Sequence, residues 1–338
     1  MIVLLCNNEN HFKNPTNSQS HVVIYNLKTH KYNEIATTAA WNWQQGARLS
    51  WLDAENIIFN TFNSDKNRYE AKIINVNTLK SSSFPYPVQH VFSNQYYLSI
   101  SYEPLQLIRP DYGYNCYLVD DDAFNKNAIH KVSIDSSEIK KLVDIKDLHY
   151  QYISKSSGPK ETKAKINHVL IAPNGTKFIF LYRYFHDGKR NHVLFLYDLN
   201  SGKYNKLLEK QVISHYCWMN NFNVLFWGIV NGSKGYYLLD TETGNIKISN
   251  SGLGDGHPHM FDEYHVITDT YPDKHGLRKI FVLNIDNRKV IPIAEVFHSP
   301  FFRAQQRCDP HPSLSNDNTY LQIDTISFAG RNVVIFKL

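Results

Sequence analysis

Cysteine is scarce in this chain. The four in 338 residues, Cys6, Cys116, Cys217 and Cys308, stand far apart and form no CxxC pair. Such spacing argues against a disulfide framework and against a structural zinc knuckle. No apolar run approaches the roughly 18 residues that a membrane helix needs. The opening MIVLLC is too short for a signal-peptide core and runs straight into Asn7, Asn8, Glu9 and Asn10. These absences lead to the expectation of a soluble, cytoplasmic chain. Dense Lys/Arg blocks are missing as well. The net charge of +5 is mild, gives a nucleic-acid partner little support, and is compatible with an acidic substrate. HExxH, a nucleophile elbow, a P-loop and a dinucleotide fingerprint are all absent. The isolated GLGDG at Gly252–Gly256 lacks the helix that a phosphate site needs, so it reads as a connecting loop.

Glycine is sparse at 15, but there are 34 Asn, which take left-handed turn conformations where Gly is missing. Apolar residues make up 42%, enough for a core, and aromatics 14%, with 22 Tyr and 19 Phe that favour strands. Helical periodicity is almost absent. Short β-rich runs come in pairs: Asn56–Phe62 with Tyr69–Asn75, Lys177–Tyr182 with His192–Tyr197, Asn223–Trp227 with Gly235–Asp240. His265–Asp269 with Arg278–Asn284 and Thr319–Asp324 with Arg331–Lys337 continue the series. DLNSGKY, DTETGNI and NIDNRKV close second runs and read as hairpin turns into a further strand.

The runs overlay in register. Segments opening at Arg48, His168, His215, His257 and His311 each place a polar residue ahead of an apolar strand, a turn and a second strand. The steps from His168 onward are 47, 42 and 54 residues. Four-stranded units at this spacing indicate an all-β fold, a β-propeller occupying residues 1–338 as one domain. The first and last units are incomplete. Counted apart they make seven blades, the favoured number; merged, they make six. The long step from Val88 to His168 holds one blade and an insertion at about residues 103–166, lid-like or a solvated linker.

In such a fold the openers share one face. Four of six are His168, His215, His257 and His311, and a fifth is Arg48. A set of imidazoles in equivalent positions suits a divalent transition metal or acid–base work, although structural hydrogen bonds would also use them. The same face gains Asp269, Tyr271 and Asp273, and His259 as well, although alternation points His259 away from the channel if His257 points in. It also gains Arg307, Asp309, Arg183, Arg109, Asp111, Tyr112 and Tyr114. Trp41, Trp43, Gln44 and Gln45 precede Arg48. Flat rings beside Arg suit sugar recognition, with blade packing as the alternative use of the Trp pair.

GDGHPHM, TDTYPD and RCDPHPSLSNDNTYLQID resemble the WD40-like propeller repeats of oligogalacturonate lyases. WNWQQG, RPDYGY, NHVLIAPNGTKFIFLYR and SHYCW resemble a branch of that superfamily from polysaccharide biosynthesis loci (O-antigen or capsule). Its members are often labelled glycosyl transferases. The similarity runs from Trp41 to the end. It implies a seven-bladed propeller that cleaves uronate-containing oligo- or polysaccharide by β-elimination, with a metal, Mn foremost, held by His and Gln. His257 and His311 match the ligand positions, with Gln305 or Gln306 standing for the Gln and His215 as a further candidate. One departure stands out: the residue two after His311 is Ser313, where the lyases cluster another ligand.

Elimination needs the uronate carboxylate neutralised and a base at C5. Arg48, Arg183 and Arg307 are the candidate clamps, His168 or His215 the base, and Tyr112 or Tyr271 the proton donor. Trp41, Trp43, Gln45 and Arg109 are candidates for substrate binding. Three other readings compete within carbohydrate chemistry. A glycoside hydrolase would use Asp269 and Asp309. A uronate epimerase would return the proton from the other face, and a transferase would owe its label to the locus. A non-enzymatic propeller scaffold is the remaining alternative.

Overall fold

The computed structural model describes residues 2–5, 18–209, 211–327 and 330–338. Cys6 and Asn7–Asn10 lie outside them. The fold is an all-β propeller of four-stranded antiparallel blades. Seven sheets form among the described residues, each with its strands in consecutive order. Five have four strands. The first sheet (Ile2–Leu5, Ser20–Tyr25, Tyr32–Thr38) and the last (Ser313–Leu314, Tyr320–Ser327, Gly330–Lys337) have three. This matches the incomplete first and last repeats. No helix among the described residues is long and apolar enough to cross a membrane.

The paired runs become strands with few changes at their ends. Asn56–Asn63 pairs with Arg68–Asn75, Asn223–Val230 with Ser233–Asp240, and His265–Asp269 with Leu277–Asn284. In the region 103–166, Ala128–Ser133 and Ile139–Asp144 complete the sheet begun by His90–Phe92 and Tyr96–Ile100. The helices Glu103–Ile108 and Ile145–Tyr152 flank those two strands. The second helix starts at Asp144, whose side chain caps the N–H of Lys146.

The asparagine surplus has a structural use. Asn26, Asn75, Asp198, Asp240 and Asn284 each close a hairpin with the same five-residue turn. In each, the side-chain oxygen accepts from the N–H groups two and three residues on. The residue four on is left-handed and donates its N–H back to the turn's first carbonyl. Those residues are His30, Leu79, Gly202, Gly244 and Arg288, with φ of 56°, 59°, 68°, 74° and 65°. Glycine fills only two of the five positions. Asx acceptors thus set the register where glycine is missing.

The chain divides into two compact units. One comprises Met1–Ile171 with Tyr184–Gly188, the other Ala172–Arg183 with Lys189–Leu338. In the first, Ile58, Ala71, Val88, Tyr97 and Val132 form one apolar cluster. A second cluster gathers Val22, Trp41, Ile57 and Phe59. In the second unit, Leu225, Tyr236, Val266, Phe281 and Leu283 pack together. There the Tyr236 hydroxyl meets Thr268 Oγ1 at 2.8 Å, so the ring is buried without stranding its polar end.

Leu79 is 57% exposed and held at positive φ. A left-handed non-glycine residue costs about 1–2 kcal/mol, and glycine gives back roughly half of that through a freer unfolded chain. Leu79→Gly should therefore raise stability by about 0.5–1 kcal/mol, read from the denaturant midpoint. A lower midpoint would refute the turn's assigned strain.

Candidate functional site

The second compact unit gathers three of the four histidine openers. His215 lies in the strand Val212–Trp218, where the pairing register shifts between Ile213 and Tyr216. That irregularity re-aims Ser214 and His215 out of the regular alternation. His257 precedes the short strand His259–Met260, and His311, at φ 44°, precedes Ser313–Leu314. The ring centroids of His215 and His257 are 4.1 Å apart, and those of His257 and His311 also 4.1 Å.

Three carboxylates back the imidazoles. Asp269 ends the strand His265–Asp269 and is fully buried. It accepts from the main-chain N–H of His257 at 2.7 Å and from that of His311 at 3.1 Å. Its two oxygens also lie 2.9 and 3.0 Å from His257 Nδ1. Gly256 makes this approach possible, because a Cβ there would sit 1.9 Å from the Asp269 carbonyl oxygen. Asp309 is held by Arg278 Nη1 at 2.8 Å and Arg307 Nε at 2.9 Å. Asp255 reaches His215 Nδ1 at 3.1 Å and accepts from Ser214 Oγ at 2.6 Å.

Electrostatics separate the three rings. Burial, reinforced by the neighbouring His257 ring, pushes His311 down to about 3. Burial and His257 also lower His215, against the pull of Asp255. Burial is the largest influence on His257 and opposes its charge, but Asp269, Asp309 and Asp255 together raise this one above the ordinary histidine value. Burial works to raise Asp269 and Asp309 as well. Asp269 is nonetheless lowered by His257, and Asp309 by His311, His257, Arg307 and Arg278.

One ligand atom each from His257, Asp309 and His311 lies within 4.8 Å of the others. His257 Nε2 is buried and has no hydrogen-bond partner among the described residues. A ring held by a carboxylate through Nδ1 with an orphaned Nε2 is the arrangement of a metal-ligating histidine. Imidazole with carboxylate suits Mn, Fe or Zn, so the residues present fit a divalent ion.

Other candidates have different surroundings. Arg183 is 6% exposed and donates to the carbonyls of Ile213 and Ser214, which ties its guanidinium to the backbone leading into His215. Tyr271 is 39% exposed, with its ring 6.3 Å from His257 and the Arg278 guanidinium 5.8 Å from its centroid. Gln306 ends the turn Ala304–Gln306, and its main-chain carbonyl accepts from Arg331. His168 belongs to the other unit, at φ 52°, with Tyr112 at 6.1 Å between ring centroids. There, Arg109 pairs with both oxygens of Asp111 and lies 4.4 Å from the centroid of Tyr112. Arg48 donates to the carbonyl of Gln89. Gln45 accepts nothing at its buried Oε1 and takes part in the Asn42 turn through its N–H.

Trp41 is corrected by its burial. It is 2% exposed, donates its indole N–H to Ser18 and packs edge-on against Trp43, so it offers no ring face to a sugar. Trp43 is half-buried against the same cluster.

Asp255 and Arg278 carry no assigned role in the sequence reading. Asp255 was hidden in GLGDG, which reads as a connector. Arg278 was hidden in an apolar strand, where a 2% exposed arginine is itself the signal that a buried acid must face it.

No protein-family model matches the chain, and no curated protein matches it in sequence. Solved structures do. An oligogalacturonate lyase in complex with manganese is 13% identical, with TM-score 0.68 over 94% of this chain and 83% of that one. An oligogalacturonate lyase from Vibrio parahaemolyticus gives 0.64 at 13% identity over the same shares. The β-propeller domain of the Trilobed protease from Pyrococcus furiosus gives 0.54 at 11%, over 88% of this chain and 81% of that one. At these identities the likeness shows the propeller fold, which serves lyases and peptidases alike.

Removing the charge of Asp269 should loosen both histidines. Asp269→Asn is expected to weaken divalent-metal binding about 10- to 100-fold, measured by calorimetric titration with Mn. An unchanged affinity would show that Asp269 does not orient the ligands.

Proposed function

We propose that the chain is a metal-assisted lyase of uronate-containing oligosaccharides. The reading is carried by His257, whose ring is fixed by Asp269 at Nδ1 while its buried Nε2 has no hydrogen-bond partner among the described residues, and which offers a ligand atom within 4.8 Å of one each from His311 and Asp309. These three residues would hold the ion. Bound there, a divalent cation supplies Lewis-acid neutralisation of the uronate carboxylate, which acidifies the C5 proton.

The chain's own groups supply the remaining steps. His215, kept neutral by burial, takes the C5 proton as general base. The C5–H electron pair becomes the C4–C5 double bond, and the C4–O4 bond breaks. Tyr271 stands beside His257 and is exposed enough to protonate the departing oxygen. The mild positive net charge is compatible with an acidic substrate.

Hydrolysis by Asp269 and Asp309 has less support. One of a glycosidase pair must hold its proton near neutrality. Both carboxyls are instead lowered and held as anions, Asp269 by His257 and two backbone N–H groups, Asp309 by His311, His257 and two arginines.

Galacturonate oligomers incubated with the Mn-loaded protein should gain ultraviolet absorbance from the conjugated double bond. His215→Ala should lower kcat by roughly 10²–10⁴. Shortened oligomers without added absorbance would establish hydrolysis and overturn the proposal, as would an absence of cleavage across uronate substrates.

A further inference from the structure

We infer that Asp255 is a positioning residue that fixes the tautomer of His215, directing the ring's lone pair to Nε2. This rests on the reading of His215 as the base.

The loop between the strands Ile246–Ser251 and His259–Met260 delivers Asp255. Three contacts anchor it. Gly252 donates to the carbonyl of Lys234 at 3.1 Å, Trp227 Nε1 donates to the carbonyl of Leu253 at 2.9 Å, and Gly256 lies hard against the Asp269 backbone. The carboxylate is thus held in place, with its side chain 17% exposed.

Proton accounting then settles the tautomer. Ser214 Oγ lies 2.6 Å from Asp255 Oδ2 and 3.1 Å from His215 Nδ1. A hydroxyl has one proton, and the short contact to the carboxylate uses it. The other Asp255 oxygen faces Nδ1 as an acceptor. Nδ1 therefore carries the hydrogen and donates it to Asp255 Oδ1 at 3.1 Å. In a neutral imidazole the remaining lone pair is then on Nε2, where a base must present it.

The same geometry separates this cluster from a serine-nucleophile triad. There, serine and acid occupy opposite nitrogens of the ring. Here both Ser214 and Asp255 crowd Nδ1, so Ser214 is an orienting group. One loop also does two things: it brings Asp255 to His215 and, two residues on, His257 to Asp269. Base and metal ligand are placed by the same stretch of backbone.

The test is nitrogen NMR of the His215 imidazole in metal-free protein, combined with kinetics. Wild type should show the Nδ1–H form. Asp255→Asn should shift the population toward Nε2–H and lower kcat about 10²- to 10⁴-fold, the range for a misdirected catalytic imidazole, with KM changed less than about threefold. Asp255→Glu should restore part of kcat, which a purely structural role would not predict. Ser214→Ala, a milder change, should keep the Nδ1–H form and guards against a variant that fails to fold. An Nε2–H majority in wild type, or an unaltered kcat in a folded Asp255→Asn protein, would overturn the inference. Wild type that shows Nδ1–H but eliminates no uronate would instead remove the functional reading on which the inference rests.

Discussion

One buried carboxylate organises the candidate site. Asp269 is fully shielded and binds the ring and backbone of His257 together with the backbone of His311. A buried anion is costly unless its oxygens are satisfied, and here the satisfying groups are the two histidines that would ligate a metal. Misplacing either would strand the charge. The desolvation penalty therefore acts as a positional constraint on both ligands.

The same logic spreads outward. Asp309 is nearly as buried and takes its neutralisation from Arg278 and Arg307. Asp255 is more exposed and takes Ser214 and His215. Each acid thus has its own partners, and the His257 ring lies tilted against those of His215 and His311, with centroids 4.1 Å away in each case. Because the three imidazoles are close, charge on one disfavours charge on the others. His257, beside Asp269, is the one whose charged form is favoured, while His215 and His311 are kept neutral. A cation bound at His257 Nε2 would take the place of that proton.

Much of the fold was legible because β-propeller repeats write their strands and turns locally. The apolar, β-rich runs NVLFWGIV and GYYLLD, and Asp240 ahead of the left-handed Gly244, are short-range signals, and they became strands and a turn. The histidine register was legible for a related reason: His215, His257 and His311 occupy equivalent points of successive repeats. What escaped needed the path of a loop or the depth of a side chain. Asp255 acts through a connector whose course is set by Trp227 and the Asp269 backbone, neither adjacent in sequence. Trp41 and Arg183 have residue types common at sugar sites. Trp41 found a carbonyl partner in Ser18, and Arg183 found them in Ile213 and Ser214, and both turned inward.

The decisive property of the site is whether His257, Asp309 and His311 share an ion. Crystals grown with manganese and measured for anomalous scattering answer this directly. A single strong peak about 2.0–2.3 Å from His257 Nε2 and within ligand range of His311 and Asp309 is the expected result. An ordered site with His257 Nε2 facing only protein or solvent, at saturating manganese, would contradict it.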